Sequence, residues 1–144
     1  MSKLAVFILT AILLLSAGPT FADEVLWDQL QSRAGMLYQQ KKYDDAIKIQ
    51  RKALEVAEKT FGAENNKTAE SMDGLATYVQ AVGNNDEAET LYKKALAILE
   101  KNLKPNDHYL AIFMNYVAGF YRKIGNEDEA KRLEERAKKI RAMK

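Results

Sequence analysis

The chain has 144 residues, which is enough for one domain, and its content of 47% hydrophobic and 29% charged residues is ordinary for a globular protein. A net charge of +2 is too small to indicate a polyanionic partner. The sequence has no cysteine and one histidine, which excludes disulfides, thiolate catalysis, cysteine-ligated zinc and a histidine-rich metal site, so we predict neither a metal nor a cofactor.

The first 22 residues have the layout of a secretory signal peptide. Lys3 supplies a positive charge, residues 5–15 form an apolar run, Gly18-Pro19 breaks a helix, and Ala22 is the small residue at the predicted cleavage point. An uncleaved membrane anchor is the alternative, but this run of 11 residues is shorter than the roughly 18 that a spanning helix needs. We therefore expect cleavage after Ala22 and a periplasmic or secreted protein.

The predicted mature domain covers residues 23–144, where apolar residues recur at helical rather than alternating spacing. We predict an all-α fold of three antiparallel helix pairs, in repeats of about 24–62, 66–102 and 107–144. The predicted helices are Glu24–Gln40, Tyr43–Phe61, Asn66–Val82, Asp86–Asn102, Asp107–Ile124 and Glu127–Ala142.

Short polar turns separate the two helices of each predicted pair. Gly83 and Gly125 follow the first helices of the second and third pairs, where a helix often ends in a left-handed residue that glycine adopts without steric cost. Asn85 or Asp86, and Asn126, are predicted to cap the next helices through side-chain oxygens. These turns allow each pair to fold as a helical hairpin.

The turns recur at an interval of 42 residues: GNNDEA at 83–88 returns as GNEDEA at 125–130, and the weaker form KKYDDA stands at 41–46. Small residues occupy matching columns in all three units: Ala34, Ala76, Ala118, Ala46, Ala88, Ala130, Ala53, Ala95 and Ala137. Larger apolar residues also repeat: Leu30, Met72, Met114, Leu37, Val79, Tyr121, Ile49, Leu91 and Leu133. Such a period is typical of a repeat protein in which each unit packs on the next.

This spacing resembles the tetratricopeptide repeat, with small residues at the eighth, twentieth and twenty-seventh positions, a bulky residue at the eleventh and glycine at the fifteenth. The usual unit has about 34 residues. The longer unit here, with Leu75-Ala76 and Asp107-His108 at matching positions, resembles the kinesin-light-chain type of the family. The resemblance covers essentially all of the mature chain and implies a right-handed helical-repeat solenoid.

The resemblance also implies a function, because the first helix of each pair in this family lines a concave groove that holds a peptide or helix of a partner protein. The corresponding positions here are polar or small: Gln31, Gly35, Tyr38, Gln39, Asp73, Thr77, Gln80, Asn115, Tyr116, Gly119 and Arg122. We therefore expect a protein-protein interaction module, with a monomer favoured. The alternative is a structural protein that self-associates or packs within an envelope assembly.

The last predicted helix is strongly basic. After Ala130 the basic residues are Lys131, Arg132, Arg136, Lys138, Lys139, Arg141 and Lys144. Glu134 and Glu135 interrupt this set and export would separate it from nucleic acid, so no nucleic-acid interface is predicted. Contact with an anionic membrane surface is a weaker alternative. Lys138 and Glu134 replace Leu96 and Tyr92 of the preceding repeat, which indicates a soluble outer face that caps the array.

No enzymatic activity is predicted, because catalysis requires a base or nucleophile held in a cleft. Acid pairs such as Asp44-Asp45 fall on predicted helix surfaces or caps. His108 lies at a predicted helix start, which indicates a capping or exposed position. Most tyrosines are best explained as core residues between helices, with Tyr38 and Tyr116 as the exceptions that face the groove.

Overall fold

The computed structural model describes residues 18–143, so the part of the predicted signal peptide before Gly18 lies outside the described residues. Residues 18–143 form six α-helices and no β-strand. The helices are α1 (Phe21–Gln39), α2 (Tyr43–Phe61), α3 (Asn66–Ala81), α4 (Asn85–Asn102), α5 (His108–Lys123) and α6 (Glu127–Ala142). Their packing as α1–α2, α3–α4 and α5–α6 confirms the predicted all-α array of helix pairs.

The first helix begins at Phe21, three residues before the predicted Glu24. Thr20 caps it, because the Thr20 hydroxyl accepts from the Asp23 backbone N–H at 3.2 Å and the Asp23 carboxylate accepts from the Thr20 N–H at 3.1 Å. This reciprocal capping box satisfies two backbone donors that the helix itself leaves unpaired. The predicted cleavage point after Ala22 therefore falls inside the first turn of α1.

The turns between paired helices follow the predicted pattern. Gly83 and Gly125 have φ values of 85° and 82°, in the left-handed region, and the equivalent Lys41 has a φ of 60°. The cap of α4 is Asn84 rather than the predicted Asn85 or Asp86. The Asn84 side chain accepts a hydrogen bond from the Glu87 backbone N–H, and α4 begins at the next residue, Asn85.

The predicted alanine columns lie in the interior of the helix array. All nine are fully buried, with no measurable exposure: Ala34, Ala46, Ala53, Ala76, Ala88, Ala95, Ala118, Ala130 and Ala137. Side chains of this size let neighbouring helices approach closely, while larger residues fill the space around them. The main core extends through the second and third pairs, and a smaller cluster around Trp27 lies in the first pair.

The spacing between successive first helices differs along the array. α1 packs directly against α3, whereas α3 and α5 share no close backbone contact. Gly74 of α3 stands where α5 has Tyr116. A Cβ at Gly74 would lie 2.7 Å from Nε2 of Gln50, so this glycine leaves room for the Gln50 side chain of α2. The Tyr116 side chain instead reaches Thr77 of α3, so side chains rather than backbone connect α3 and α5 across a groove.

The outer face of α6 is charged at the two positions from which a cap was predicted. On α4, Tyr92 and Leu96 are buried against the third pair. At the same positions on α6, Lys138 is exposed and Glu134 is only partly buried, with its carboxylate 2.7 Å from the Arg122 guanidinium. The outer face of α6 therefore differs from the apolar face that α4 presents. None of the helices in residues 18–143 is both long and apolar enough to cross a membrane.

Candidate functional site

The large apolar side chains that the helices expose belong to the first helix of a pair. In residues 18–143 they are Phe21, Leu26 and Met36 on α1, and Tyr109, Ile112 and Tyr116 on α5. The second helices α2, α4 and α6 lie wholly within the described residues and expose none. Apolar surface concentrated on one set of helices indicates where another molecule can bind.

The apolar residues of α1 lie at the end of the array rather than in the groove. One repeat later, Leu26 and Met36 correspond to Thr68 and Tyr78. Thr68 is buried, and Tyr78 stacks on Tyr38 of α1. Leu26 and Met36 stay exposed because no helix pair precedes α1 within residues 18–143. Of the exposed apolar residues of α5, in contrast, Tyr116 contacts Thr77 of α3.

Hydroxyl groups connect the two walls of the α3–α5 groove. The Thr77 hydroxyl lies 2.7 Å from the Tyr116 hydroxyl across the groove and 3.0 Å from the Asp73 carbonyl oxygen, to which it donates. The buried Tyr92 hydroxyl lies 3.3 Å from Thr77 and 3.4 Å from Tyr116. Tyr116 nevertheless keeps 46% of its surface exposed, so it is both a bridge and a contact surface.

A cavity of about 290 Å³ adjoins this bridge. Its lining combines the polar side chains of Gln80, Asn115 and Lys123 with the ring of Tyr116 and the open backbone at Gly119. A Cβ at Gly119 would meet nothing within 4 Å, so the space beside this helix is free. The cavity brings together four of the eleven predicted groove residues and adds Lys123, which the sequence analysis did not select.

Two other predicted groove residues, Gly35 and Tyr38, lie against Tyr78 at the α1–α3 boundary. The rings of Tyr38 and Tyr78 stack with centroids 4.8 Å apart, and Tyr43 packs against Tyr38 at 5.4 Å. A Cβ at Gly35 would be in ordinary contact with the Tyr78 hydroxyl, at 3.7 Å. The surface here is already filled by aromatic packing. Gln39 is exposed beside it.

Gln31 has a structural contact that the sequence did not predict. Its side-chain oxygen accepts a hydrogen bond from Nε2 of Gln50, a residue that is 1% exposed. Gln50 also donates to the Ser71 carbonyl oxygen at 2.9 Å, and the Trp27 indole donates to the Ser71 hydroxyl at 2.8 Å. This network joins the first and second pairs through polar groups, and Gln31 is part of it.

Asp73 is the predicted groove residue with the most unusual environment. Its Oδ1 is buried and accepts no hydrogen bond in the part of the chain that the structure describes. Burial, and then the charge of Glu70, raise the pKa of the Asp73 carboxyl from 3.8 to about 6. An unpaired buried oxygen is costly, and functional sites are one place where proteins tolerate it.

Arg122 lies outside the groove contacts. Its Nη2 is 2.7 Å from the Glu134 carboxylate and its Nε is 3.6 Å from Glu127, both on α6. The Glu134 hydrogen bond is the main reason that the pKa of Arg122 is raised. Arg122, a predicted groove residue, is therefore already paired with carboxylates of α6.

Tyr109 and Ile112 are exposed apolar residues of α5 that the sequence analysis missed, with 48% and 59% of their surface accessible. A signal for Ile112 was present in the repeat alignment. Its column holds Asp28 in the first unit and Glu70 in the second, so an isoleucine there breaks an acidic column. Residues 18–143 contain no group of three or more acidic or histidine side chains arranged to hold a metal ion.

The sequence matches the profile of the tetratricopeptide repeat family twice, over residues 29–101 and 74–142. Together these matches cover all six helices except the first turns of α1. A search of curated proteins finds no match to the sequence.

Several solved structures share the fold. One is BtubC (BKLC) from P. vanneervenii, with a TM-score of 0.76 and 22% identity over 83% of this chain and 47% of that chain. Another is a kinesin light chain protein with nearly identical TPR-like repeats from Podosopora anserina, with a TM-score of 0.71 and 24% identity over 80% and 55% of the two chains. The chain spans about half the length of these structures.

Proposed function

Because the chain belongs to the tetratricopeptide repeat family, we propose that it is an exported interaction module that binds a segment of a partner protein in the groove between α3 and α5. The fold itself indicates a protein-protein interaction module. We place the binding site on this face because α5 exposes apolar surface there, formed by Tyr109, Ile112 and Tyr116. Polar groups line the same groove, as a bound peptide backbone requires.

The partner is proposed to be an extended or helical peptide segment rather than a small molecule. The cavity beside Tyr116 is open and shallow at about 290 Å³, near the lower limit for ligand pockets. Tyr109, Ile112 and Tyr116 follow one another along α5 at intervals of about one helical turn. The exposed side chains of Tyr109 and Ile112 therefore extend the surface beyond the cavity. A surface of this shape provides contacts along a chain, with amide groups for hydrogen bonds.

Site-specific photocrosslinking would test the groove directly. We expect benzoylphenylalanine in place of Ile112 to give a covalent adduct with the partner in the intact producing cell. The same group in place of Lys138, on the exposed outer face of α6, is the matched control and should give none. Asn115→Ala should reduce the adduct from position 112, whereas Lys139→Ala should not. Equal adducts from positions 112 and 138 would contradict the groove assignment.

Export is proposed from the charge, apolar run and cleavage pattern of the first 22 residues. Cleavage after Ala22 would remove the Thr20 cap but leave Asp23 in the first helical turn, where a negative charge is favoured by the helix dipole. The intact mass of the protein from the exporting cell should correspond to a chain that begins at Asp23. A membrane-bound form that retains Met1 would support an uncleaved anchor instead.

Self-association is the second candidate function, and one observation favours it. Leu26 and Met36 of α1 expose 45% and 56% of their surface, which another molecule could cover. Sedimentation of the purified protein would distinguish the two functions. A concentration-dependent dimer that Leu26→Lys abolishes would support a structural role. A monomer with unchanged sedimentation in Leu26→Lys would exclude assembly through this surface.

A further inference from the structure

The part of the groove around Asp73 combines acidic and aromatic side chains. The charge of Asp73 acts on the phenols of Tyr78, Tyr92 and Tyr109, which belong to three different helices. Burial is the main reason that the pKa of Tyr109 is raised, and the charges of Asp73 and then Glu70 raise it further. Geometry places Asp73 beside α5, because the Thr77 hydroxyl donates to the Asp73 carbonyl oxygen and lies 2.7 Å from the Tyr116 hydroxyl.

Asp73 has no ion-pair partner in the described chain. The ion pairs within residues 18–143 involve neither Asp73, Glu70 nor Asp28. The charge of Lys67 acts on the Glu70 carboxyl and opposes the rise in its pKa that burial causes, although the Lys67 ammonium lies 3.8 Å from Glu24. Asp73 is thus the acid of this region whose charge is least opposed.

Three properties of this surface agree on one kind of ligand group. The Asp73 side chain is only partly buried, and its carboxyl has unused hydrogen-bonding capacity, since Oδ1 accepts no hydrogen bond within residues 18–143. A carboxylate in a partly dry site attracts a cation more strongly than one in bulk water. Aromatic rings attract cations through their negative faces. Tyr109 and Ile112 of α5 supply exposed apolar surface for the remainder of the ligand.

We propose that the groove recognises a lysine or arginine side chain of the partner segment, with the cation held by Asp73 and a flanking apolar residue lying on Tyr109 and Ile112. This inference rests on the proposed function and specifies its partner as a basic, apolar segment of a protein. Glu70 adds to the attraction for the cation. The hydroxyl bridge between Thr77 and Tyr116 fixes the distance between the two walls.

Selection from a phage-displayed library of random dodecapeptides would test this inference, with the purified protein as target and an unrelated protein carrying the same tag as control. We expect the selected peptides to be enriched in lysine or arginine next to leucine, isoleucine or an aromatic residue. A synthetic copy of the most frequent peptide would then be measured by fluorescence anisotropy against the variants. Its copy with norleucine in place of the basic residue is the matched peptide control.

Two substitutions remove the negative charge with little change in shape. Asp73→Asn should weaken binding of the basic peptide by about tenfold or more, as expected for a charge-assisted hydrogen bond. Glu70→Gln, at an exposed position, should weaken binding less and cannot act by unfolding the core. Glu135→Gln, exposed on α6 and absent from the groove, should leave binding unchanged. All three should bind the norleucine peptide as the parent protein does.

The outcomes separate this inference from the proposed function. Selected peptides that lack basic enrichment, and whose affinity survives Asp73→Asn and Glu70→Gln, would overturn the inference while a peptide-binding groove remained. Enrichment in acidic peptides would overturn it in the same way. Failure to select any peptide above the tag control would count against both the basic partner and the peptide-binding function.

Discussion

At the scale of single residues, Asp73 links stability to pH. Its pKa is higher in the folded chain than the unfolded value of 3.8, mainly because of burial. The native state therefore holds this proton more tightly than the unfolded chain does. The stabilisation that the protonated carboxyl gives to the folded state is complete below about pH 4 and is lost as the pH rises through about 6. At neutral pH the ionised carboxylate should cost the fold roughly 2–3 kcal/mol.

We expect Asp73→Asn to raise the free energy of unfolding at pH 7 by about 1–2 kcal/mol, because the neutral amide avoids most of the charge penalty. At pH 4 the substitution should have almost no effect. Urea unfolding at both pH values measures the difference, and Glu135→Gln serves as the exposed control. An equal effect of Asp73→Asn at the two pH values would show that the carboxyl does not titrate differently in the folded chain.

Lys41 is a second residue that the structure singles out. It has a φ of 60° at the position where the other two units have Gly83 and Gly125. A side chain in the left-handed region costs about 1 kcal/mol relative to glycine. Lys41→Gly should therefore stabilise the protein by about 0.5–1 kcal/mol, and the reciprocal Gly83→Lys should destabilise it. Thermal unfolding of both variants tests this, and shifts of the same sign would contradict it.

At the scale of the helices, α4 offers a matched pair of alanines. Ala95 is fully buried in a column that the sequence predicted, whereas Ala97, two residues later, is exposed. Ala95→Leu should overpack the helix contact and cost about 1–3 kcal/mol. Ala97→Leu should change stability by no more than about 0.5 kcal/mol. Chemical denaturation of the two variants checks the helix register, and similar losses would mean that the column is not the closest contact.

The first helices are not equivalent to each other, and the groove depends on the difference. α3 packs on α1, where Tyr38 and Tyr78 stack, whereas α5 has no close backbone contact with α3 and reaches it through the Tyr116 side chain. The first pair also joins the second through a polar network that includes Gln31. The helix positions that line a groove in one repeat thus have a packing role in another, although they share a column in the sequence.

At the scale of the whole molecule, the outer face of α6 is charged where that of α4 is apolar. Lys138 and Glu134 stand where α4 has the buried Leu96 and Tyr92. Lys138→Leu combined with Glu134→Tyr should create an apolar strip and promote association between molecules. Sedimentation velocity should show larger species for the double variant. If it stays as monodisperse as the parent protein, these two positions do not control the end of the array.

Much of the fold was determined by the sequence alone because it depends on local properties. Helical periodicity, the left-handed glycines and the recurring alanines predicted six helices within three residues of their observed ends, and Ala88 and Ala95 are buried as their columns require. These signals act within one helical turn or repeat every 42 residues, so they can be read without knowing the distances between helices.

Only the tertiary structure decided which of these faces remain open. The gap beside Tyr116, the exposure of Ile112 and the unpaired oxygen of Asp73 all depend on how far α5 stands from α3. Arg122 pairs with Glu134, which is twelve residues away in sequence. Side-chain volume across an interface and long-range charge pairing set these features, and neither follows from the period of the repeat, because repeats that share a pattern can still pack at different distances.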